Sequence, residues 1–193
     1  MISPSLADAF VAELAGLFAR FGGLRYGEGV SQLEHALQTA HHAKVNGAPA
    51  ALIVAALLHD VGHLIQKVGD NAADLGIDTR HEHISAGYLA RAFGPEVTEP
   101  VRLHVAAKRY RVAVEPAYLE RLSRASLQSL ALQGGPLSEG EIEAFLAEPA
   151  AAAARQLRGY DEAGKAPDAE VPSFETYYDL LRDQIDRAGK IPV

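Results

Sequence analysis

Ala50-Ala51-Leu52-Ile53-Val54-Ala55-Ala56-Leu57-Leu58-His59-Asp60-Val61-Gly62-His63 is the stretch on which the fold turns. Small and aliphatic residues fill its first nine positions without Pro or Gly, the pattern of a helix buried nearly all round. Two imidazoles and a carboxylate then stand at its end. A buried charge is costly unless it is paired or coordinates a metal. His59 and Asp60 are adjacent, so a helix directs them about 100° apart, whereas His59 and His63 at i and i+4 share a face. The segment therefore reads either as part of a metal site or as a polar helix end bonded to backbone, with Gly62 marking a turn.

Working outward, the N-terminal side carries a helix over 5–21 (Leu6, Phe10, Val11, Leu14, Leu17, Phe18), stopped by Gly22-Gly23. The loop Leu24-Arg25-Tyr26-Gly27-Glu28-Gly29 leads to Ser31, which with Glu34 has capping-box spacing for a helix reaching about Val45. Pro49 suits the first turn of the central helix. On the C-terminal side, residues 66–80 are polar and Gly-containing, the composition of a loop or flap over a site. Helices are then predicted over 81–93, 97–110 and 116–132, a short one after Ser138 with Glu141 in capping-box position, one over 150–161, and a last amphipathic one over 174–188.

Composition narrows the class. The 193 residues are 48% hydrophobic and 22% charged, ordinary for a globular protein. Ala and Leu dominate over β-branched and aromatic residues, which favours an all-α helical bundle, and the length suits one domain over 1–193. With no cysteine, disulfides, thiolate ligands and Cys nucleophiles are excluded, so a metal must be held by N and O atoms. A net charge of −7 argues against a nucleic-acid partner. The apolar run is too short to span a membrane, and residues 1–15 have no Lys or Arg to begin a signal peptide, so a cytoplasmic location is expected.

Six positions offer ligands at helical places: His35, His59, Asp60, His81, His104 and Asp161. Taken singly, each histidine reads better as a surface or satisfied core residue than as a ligand, and Asp161 better as a helix-end residue; the combined pattern changes that. His41 and His42 are adjacent, so at least one faces solvent, and His83 points elsewhere than His81.

His35, then His59-Asp60, then Asp161 resembles the H…HD…D signature of the HD-domain superfamily, and His81 and His104 match its subset with two metal ions. QLEHALQ (32–38), AALLHDVGH (55–63), HVAAKRY (104–110), QGGP (133–136) and YDEAGK (160–165) extend the resemblance over nearly the whole chain. They resemble the mixed-valence di-iron HD oxygenases of organophosphonate breakdown, the PhnZ type. HD alone covers phosphohydrolases broadly; HVAAKRY with QGGP is far more specific.

The resemblance implies a buried dinuclear site of two iron ions, Fe(II)/Fe(III). His35, His59, Asp60 and Asp161 would hold one, His81 and His104 the other, and Asp60 would bridge. It implies that a 1-hydroxyphosphonate and O2 react to give a carboxylic acid and phosphate. Lys108, one turn after His104, is placed to neutralise a phosphonate oxygen, though beside Arg109 and Arg111 it also reads as a solvated lysine. His63 and Lys108 are thereby expected in the active site. Ser126 and Gln133 join them as phosphonate contacts. Tyr26 and Glu28 correspond to a pair that closes over the substrate, the Glu meeting a cationic tail. The implied substrate is 2-amino- or 2-trimethylammonio-1-hydroxyethylphosphonate, giving glycine or glycine betaine. The competing reading is an HD-type metal-dependent phosphohydrolase of a nucleotide or phosphate ester; a third is a non-catalytic metal-bound sensor.

Overall fold

The computed structural model describes residues 5–25, 29–66, 76 and 78–190. They form helices with no strand among the described residues, as the Ala- and Leu-rich composition predicts. Helix α1 (Leu6–Phe21) starts at a capping box between Ser5 and Asp8 and buries Phe10, Val11, Leu14 and Phe18. Helix α2 (Gln32–Val45) starts at the predicted Ser31/Glu34 box. Helix α3 (Ala50–Leu58) is buried at every position from Leu52 to Leu58, consistent with its uniformly apolar sequence.

The chain does not continue as one helix through the histidines. It breaks at His59-Asp60 and resumes as α4 (Val61–Gln66). The His59 ring folds back so that Nδ1 bonds the Ala56 carbonyl at 2.9 Å. The His63 backbone N–H bonds the Asp60 carbonyl at 3.0 Å, a tighter turn than an α-helix makes. His59 therefore stands in the break after α3 and His63 on α4, rather than on one shared helix face.

Helix α5 (His81–Leu89) follows Arg80, whose left-handed backbone (φ 46°) turns the chain into it. Gln66 Nε2 donates to the Thr79 carbonyl at 2.7 Å, clasping the two ends of the 66–80 segment. Most of that expected flap, residues 67–75 and 77, lies outside the described residues.

Gly62 marks a close approach rather than a turn. Its N–H bonds Ser85 Oγ at 2.8 Å. A Cβ there would come within 2.3 Å of the His81 carbonyl oxygen and 3.0 Å of the Ser85 nitrogen. Gly62→Ala must therefore push α4 and α5 apart. It is expected to cost about 1–3 kcal/mol, the range for overpacking a core, and to weaken metal uptake by displacing His81. Thermal melting alongside metal titration checks both effects.

Helix α6 (Pro95–Val114) is longer than the predicted 97–110, because Pro95 sits in the first turn, where its missing N–H leaves no hydrogen bond unmade. The helix predicted over 116–132 is divided into α7 (Pro116–Leu119) and α8 (Arg124–Leu132). Ser123 interrupts it by accepting the Ser126 N–H at 3.0 Å as an N-cap. Helix α9 (Glu139–Ala147) uses the predicted Ser138/Glu141 box. Helix α10 (Ala151–Ala163), a 3₁₀ turn at Phe174–Tyr177 and α11 (Tyr178–Ala188) complete the chain.

Helix α3 packs on α2, α6, α10 and α11, and α6 is flanked by α5 and α10. The main core joins residues of α1 to α6 with α10, the 3₁₀ turn and α11. A second cluster fills the space between α6, α9 and α10 around Leu103, Ala107 and Phe145. Helices α2, α5, α6 and α10 and the break after α3 consequently meet in one place.

Candidate metal centre

At that meeting point the six predicted side chains converge. His35 comes from the first turn of α2, His59 and Asp60 from the break after α3, His81 from the first residue of α5, His104 from the middle of α6 and Asp161 from the last turn of α10. His35, His59, His81, His104 and Asp161 are all buried.

Asp60 divides them into two sets. Its Oδ2 lies 3.7 Å from His35 Nε2 and 3.5 Å from His59 Nε2. Its Oδ1 lies 3.3 Å from His81 Nε2 and 3.6 Å from His104 Nε2. Asp161 joins the first set, with Oδ1 3.4 Å from His35 Nε2 and Oδ2 4.0 Å from His59 Nε2. His35, His59 and Asp60 form one group that can hold a metal ion, and Asp60, His81 and His104 form another.

The orientation of the imidazoles supplies a test of fit. His35 Nδ1 bonds the Gly164 carbonyl at 2.9 Å, His59 Nδ1 the Ala56 carbonyl at 2.9 Å, and His104 Nδ1 the Val101 carbonyl at 2.7 Å. A carbonyl only accepts, so each Nδ1 carries a proton, and in the neutral ring each Nε2 is left with the lone pair a metal needs. The Nε2 atoms of His35 and His59 then face each other at 3.2 Å, close enough that a proton on His35 or a shared cation must sit between the two lone pairs. The Nε2 atoms of His81 and His104 lie 3.1 Å apart. His81 Nδ1 is 3.4 Å from Thr79 Oγ1 and 3.7 Å from a Glu82 carboxylate oxygen. The donor set, imidazole and carboxylate with the outer nitrogens already engaged, fits a pair of divalent or trivalent transition metals.

The electrostatics agree. Burial disfavours charging His35 and His81, yet Asp161 and Asp60 outweigh it and hold both pKa values above 6.5. Burial dominates at His59 and, with the neighbouring imidazoles, at His104, and both are lowered. Burial would also protonate Asp60 and Asp161. The histidines around Asp60, and Arg158 beside Asp161, overcome this and keep both well below the usual carboxylate range.

A cationic flank borders the ligands. Lys108 is buried and donates to Ser129 Oγ at 2.9 Å. Lys165 donates to Ser126 Oγ at 3.0 Å. One face of α8 thus carries two hydroxyls, three residues apart, each engaged by an ammonium. Arg158 is buried and donates from Nη1 to Asp161 Oδ2 at 2.5 Å. The pKa of Lys108 is lowered to about 7, first by burial and then by the Arg158 charge. His63 stacks on His81 with ring centroids 4.1 Å apart, and burial next to His81 lowers its pKa to about 3, so it is neutral.

Comparison with known proteins places this arrangement. The HD-domain family model matches residues 32–147, which hold five of the six converging residues. The chain belongs to the HD-domain family. The chain is 41% identical to the [1-hydroxy-2-(trimethylamino)ethyl]phosphonate dioxygenase (glycine-betaine-forming) of Leisingera caerulea, over 90% of this chain and 89% of the relative. It is 43% identical to the hydroxymethylphosphonate dioxygenase of Gimesia maris, over 87% of this chain and 84% of the relative. An uncharacterized protein, L432, of Acanthamoeba polyphaga mimivirus is 34% identical over 92% of this chain and 83% of its own length. The resemblance in the sequence motifs is thereby confirmed as kinship with phosphonate dioxygenases.

Among the other expected residues, Ser126 stands on the cationic flank. Gln133 follows α8, its N–H on the Ser129 carbonyl at 2.9 Å, with a buried side-chain oxygen that has no hydrogen-bond partner among the described residues. Tyr26 and Glu28 lie outside the described residues. His83 is half-exposed beside Glu82, as its spacing from His81 predicts. Sequence reasoning missed Arg158, Lys165 and Ser129. Arg158 had a signal, since it precedes Asp161 by three residues on one helix and so shares its face. Ser129 had none, because only the packing of α8 against α6 brings it to Lys108.

Proposed function

We propose that this protein is an oxygenase with two iron ions that cleaves the C–P bond of a 1-hydroxyphosphonate bearing a cationic tail, 2-amino- or 2-trimethylammonio-1-hydroxyethylphosphonate. The observation that carries the reading is Asp60, with one oxygen toward each histidine pair, in a chain 41% identical to a phosphonate dioxygenase. We assign His35, His59 and Asp161 to one iron and His81 and His104 to the other, with Asp60 shared. An Fe(II)/Fe(III) pair, when bound, supplies Lewis acidity and the one-electron chemistry that reaction with O2 requires.

The chain's own groups do the rest. Lys108 opposes the phosphonate charge, and Ser126 with neutral His63 offers polar contacts beside it. By the family resemblance of the sequence, we assign Glu28 to the cationic tail and Tyr26 to closure over the substrate. Burial of the cluster keeps bulk water from intercepting the reaction. The overall change balances without another reductant: the substrate dianion and O2 give a carboxylate, hydrogen phosphate and a proton. C1 loses its bonds to hydrogen and phosphorus, and both oxygen atoms of O2 are accounted for in the products.

The test is phosphate release by iron-loaded protein from the two 1-hydroxyphosphonates and from hydroxymethylphosphonate. We expect release matched to O2 consumption, none under argon, and an EPR signal of a mixed-valent pair that each true substrate perturbs. Phosphate release that persists without O2, or turnover of phosphate esters instead, would show a hydrolase.

A further inference from the structure

Tyr118 touches none of the converging ligands, yet it ends a buried chain of contacts that reaches them. Its side chain is 1% exposed, and its hydroxyl accepts from Arg158 Nε at 2.9 Å. The same guanidinium donates from Nη1 to Asp161 Oδ2 at 2.5 Å and is paired with Glu162. Asp161 is left with its other oxygen, Oδ1, 3.4 Å from His35 Nε2. The Tyr118 ring is fixed in turn, packed with Val112, Leu122 and Leu130 and covered by the Arg111 guanidinium 4.0 Å from its centroid.

We propose that Tyr118 is a positioning residue: it locks Arg158, and through Arg158 it holds Asp161 so that a single carboxylate oxygen is presented to the metal at the His35–His59 position. The inference rests on the two-metal reading above. Guanidinium donors have fixed directions, so an arginine bonded through Nε to one group and Nη1 to another cannot rotate without losing one of them. If the phenol oxygen is removed, a buried N–H of a charged group loses its acceptor, and the remaining acceptors within reach are carboxylates. The guanidinium then swings on the Nη1 contact and carries the Asp161 carboxylate with it. Because Tyr118 lies on α7, just ahead of the α8 hydroxyls that engage Lys108 and Lys165, the same lock ties the cationic flank to the metal ligands.

Tyr118→Phe isolates this role, since it keeps the ring, its packing and the Arg111 contact. Co(II) titration of the metal-free protein, followed by visible absorption, reads each metal position without turnover. The wild type is expected to bind Co(II) in two steps. In Tyr118→Phe one step weakens about tenfold, the low end for loss of a group supporting a metal ligand, and its absorption band shifts while the other step stays put. Arg158→Lys keeps the charge but cannot bridge two partners in fixed directions, and it is expected to affect the same step; it decides the matter if Tyr118→Phe does not fold. Titrations and spectra that coincide with the wild type would overturn the inference, whatever happens to the melting temperature. A wild type that takes up fewer than two Co(II) ions would instead overturn the two-metal reading, and the inference with it.

Discussion

Asp60→Ala is expected to yield a folded protein that retains neither metal ion and shows no O2-dependent phosphate release. Removing any other ligand should empty one position or weaken it; removing Asp60 withdraws a donor from both. Its two oxygens lie 3.3–3.7 Å from all four imidazole Nε2 atoms. Without it the His81–His104 pair has no carboxylate at the centre, and the His35–His59 pair keeps only Asp161, whose charge Arg158 already offsets. Two multivalent cations would then share a buried site with little anionic charge, where repulsion is least screened. Asp60→Asn keeps the shape and one acceptor oxygen but removes the charge. It separates geometry from electrostatics, and at most one weakly held ion is expected. His83→Ala, which alters an exposed imidazole two residues from His81, should retain both ions. Metal analysis after gel filtration reads all three. The wild type has a further expected signature. His35 and His81 have pKa values raised above 6.5, so metal entry must displace their protons, and affinity should fall as the pH drops toward and below those values. Full iron occupancy in Asp60→Ala would remove Asp60 from the shared position.

The features legible in the sequence are those fixed by local geometry. Ser31 with Glu34 and Ser138 with Glu141 start helices as predicted, because a capping box is satisfied within four residues. The apolar run at 50–58 is the buried central helix because a helix without a polar face has nowhere else to go. Convergence of His35, His59, Asp60, His81, His104 and Asp161 was legible only through the resemblance of their order and spacing to a family, since nothing local tells α5 to meet α2. What escaped was tertiary. The break at His59-Asp60 serves the imidazole orientations, and a period-based reading carries a helix straight through it. Ser123 splits 116–132 with a single side-chain bond that competes with the helix. Tyr118 reads as one more apolar position of an amphipathic helix; its hydroxyl matters only because Arg158, forty residues later, is buried against it.

Lys108→Met is expected to leave both metal ions in place while raising KM for the phosphonate by roughly thirtyfold or more, the scale for truncating one partner of a buried charge pair. Methionine keeps the apolar stem, so packing beneath Ser129 survives and the ammonium alone is lost. A ligand residue would show the opposite pattern, metal loss first. The pH dependence sharpens the distinction. With its pKa lowered to about 7, Lys108 is largely neutral in the ligand-free site above that pH, and bound metal cations push it the same way. A phosphonate dianion favours the ammonium, so binding takes up a proton and affinity should decline as the pH rises above about 7. In Lys108→Met that decline should vanish. Stability gives an independent readout of opposite sense. The folded chain holds fewer protons than the unfolded chain between about 7 and 10.5, so the wild type gains stability as pH rises through that window and carries the full penalty of a buried ammonium below it. Metal-free Lys108→Met should therefore melt above the wild type at about pH 6, with the gap closing by about pH 10. A variant that weakens phosphonate binding while making the protein more stable would identify Lys108 as a residue retained for its charge at the site and against the stability of the fold.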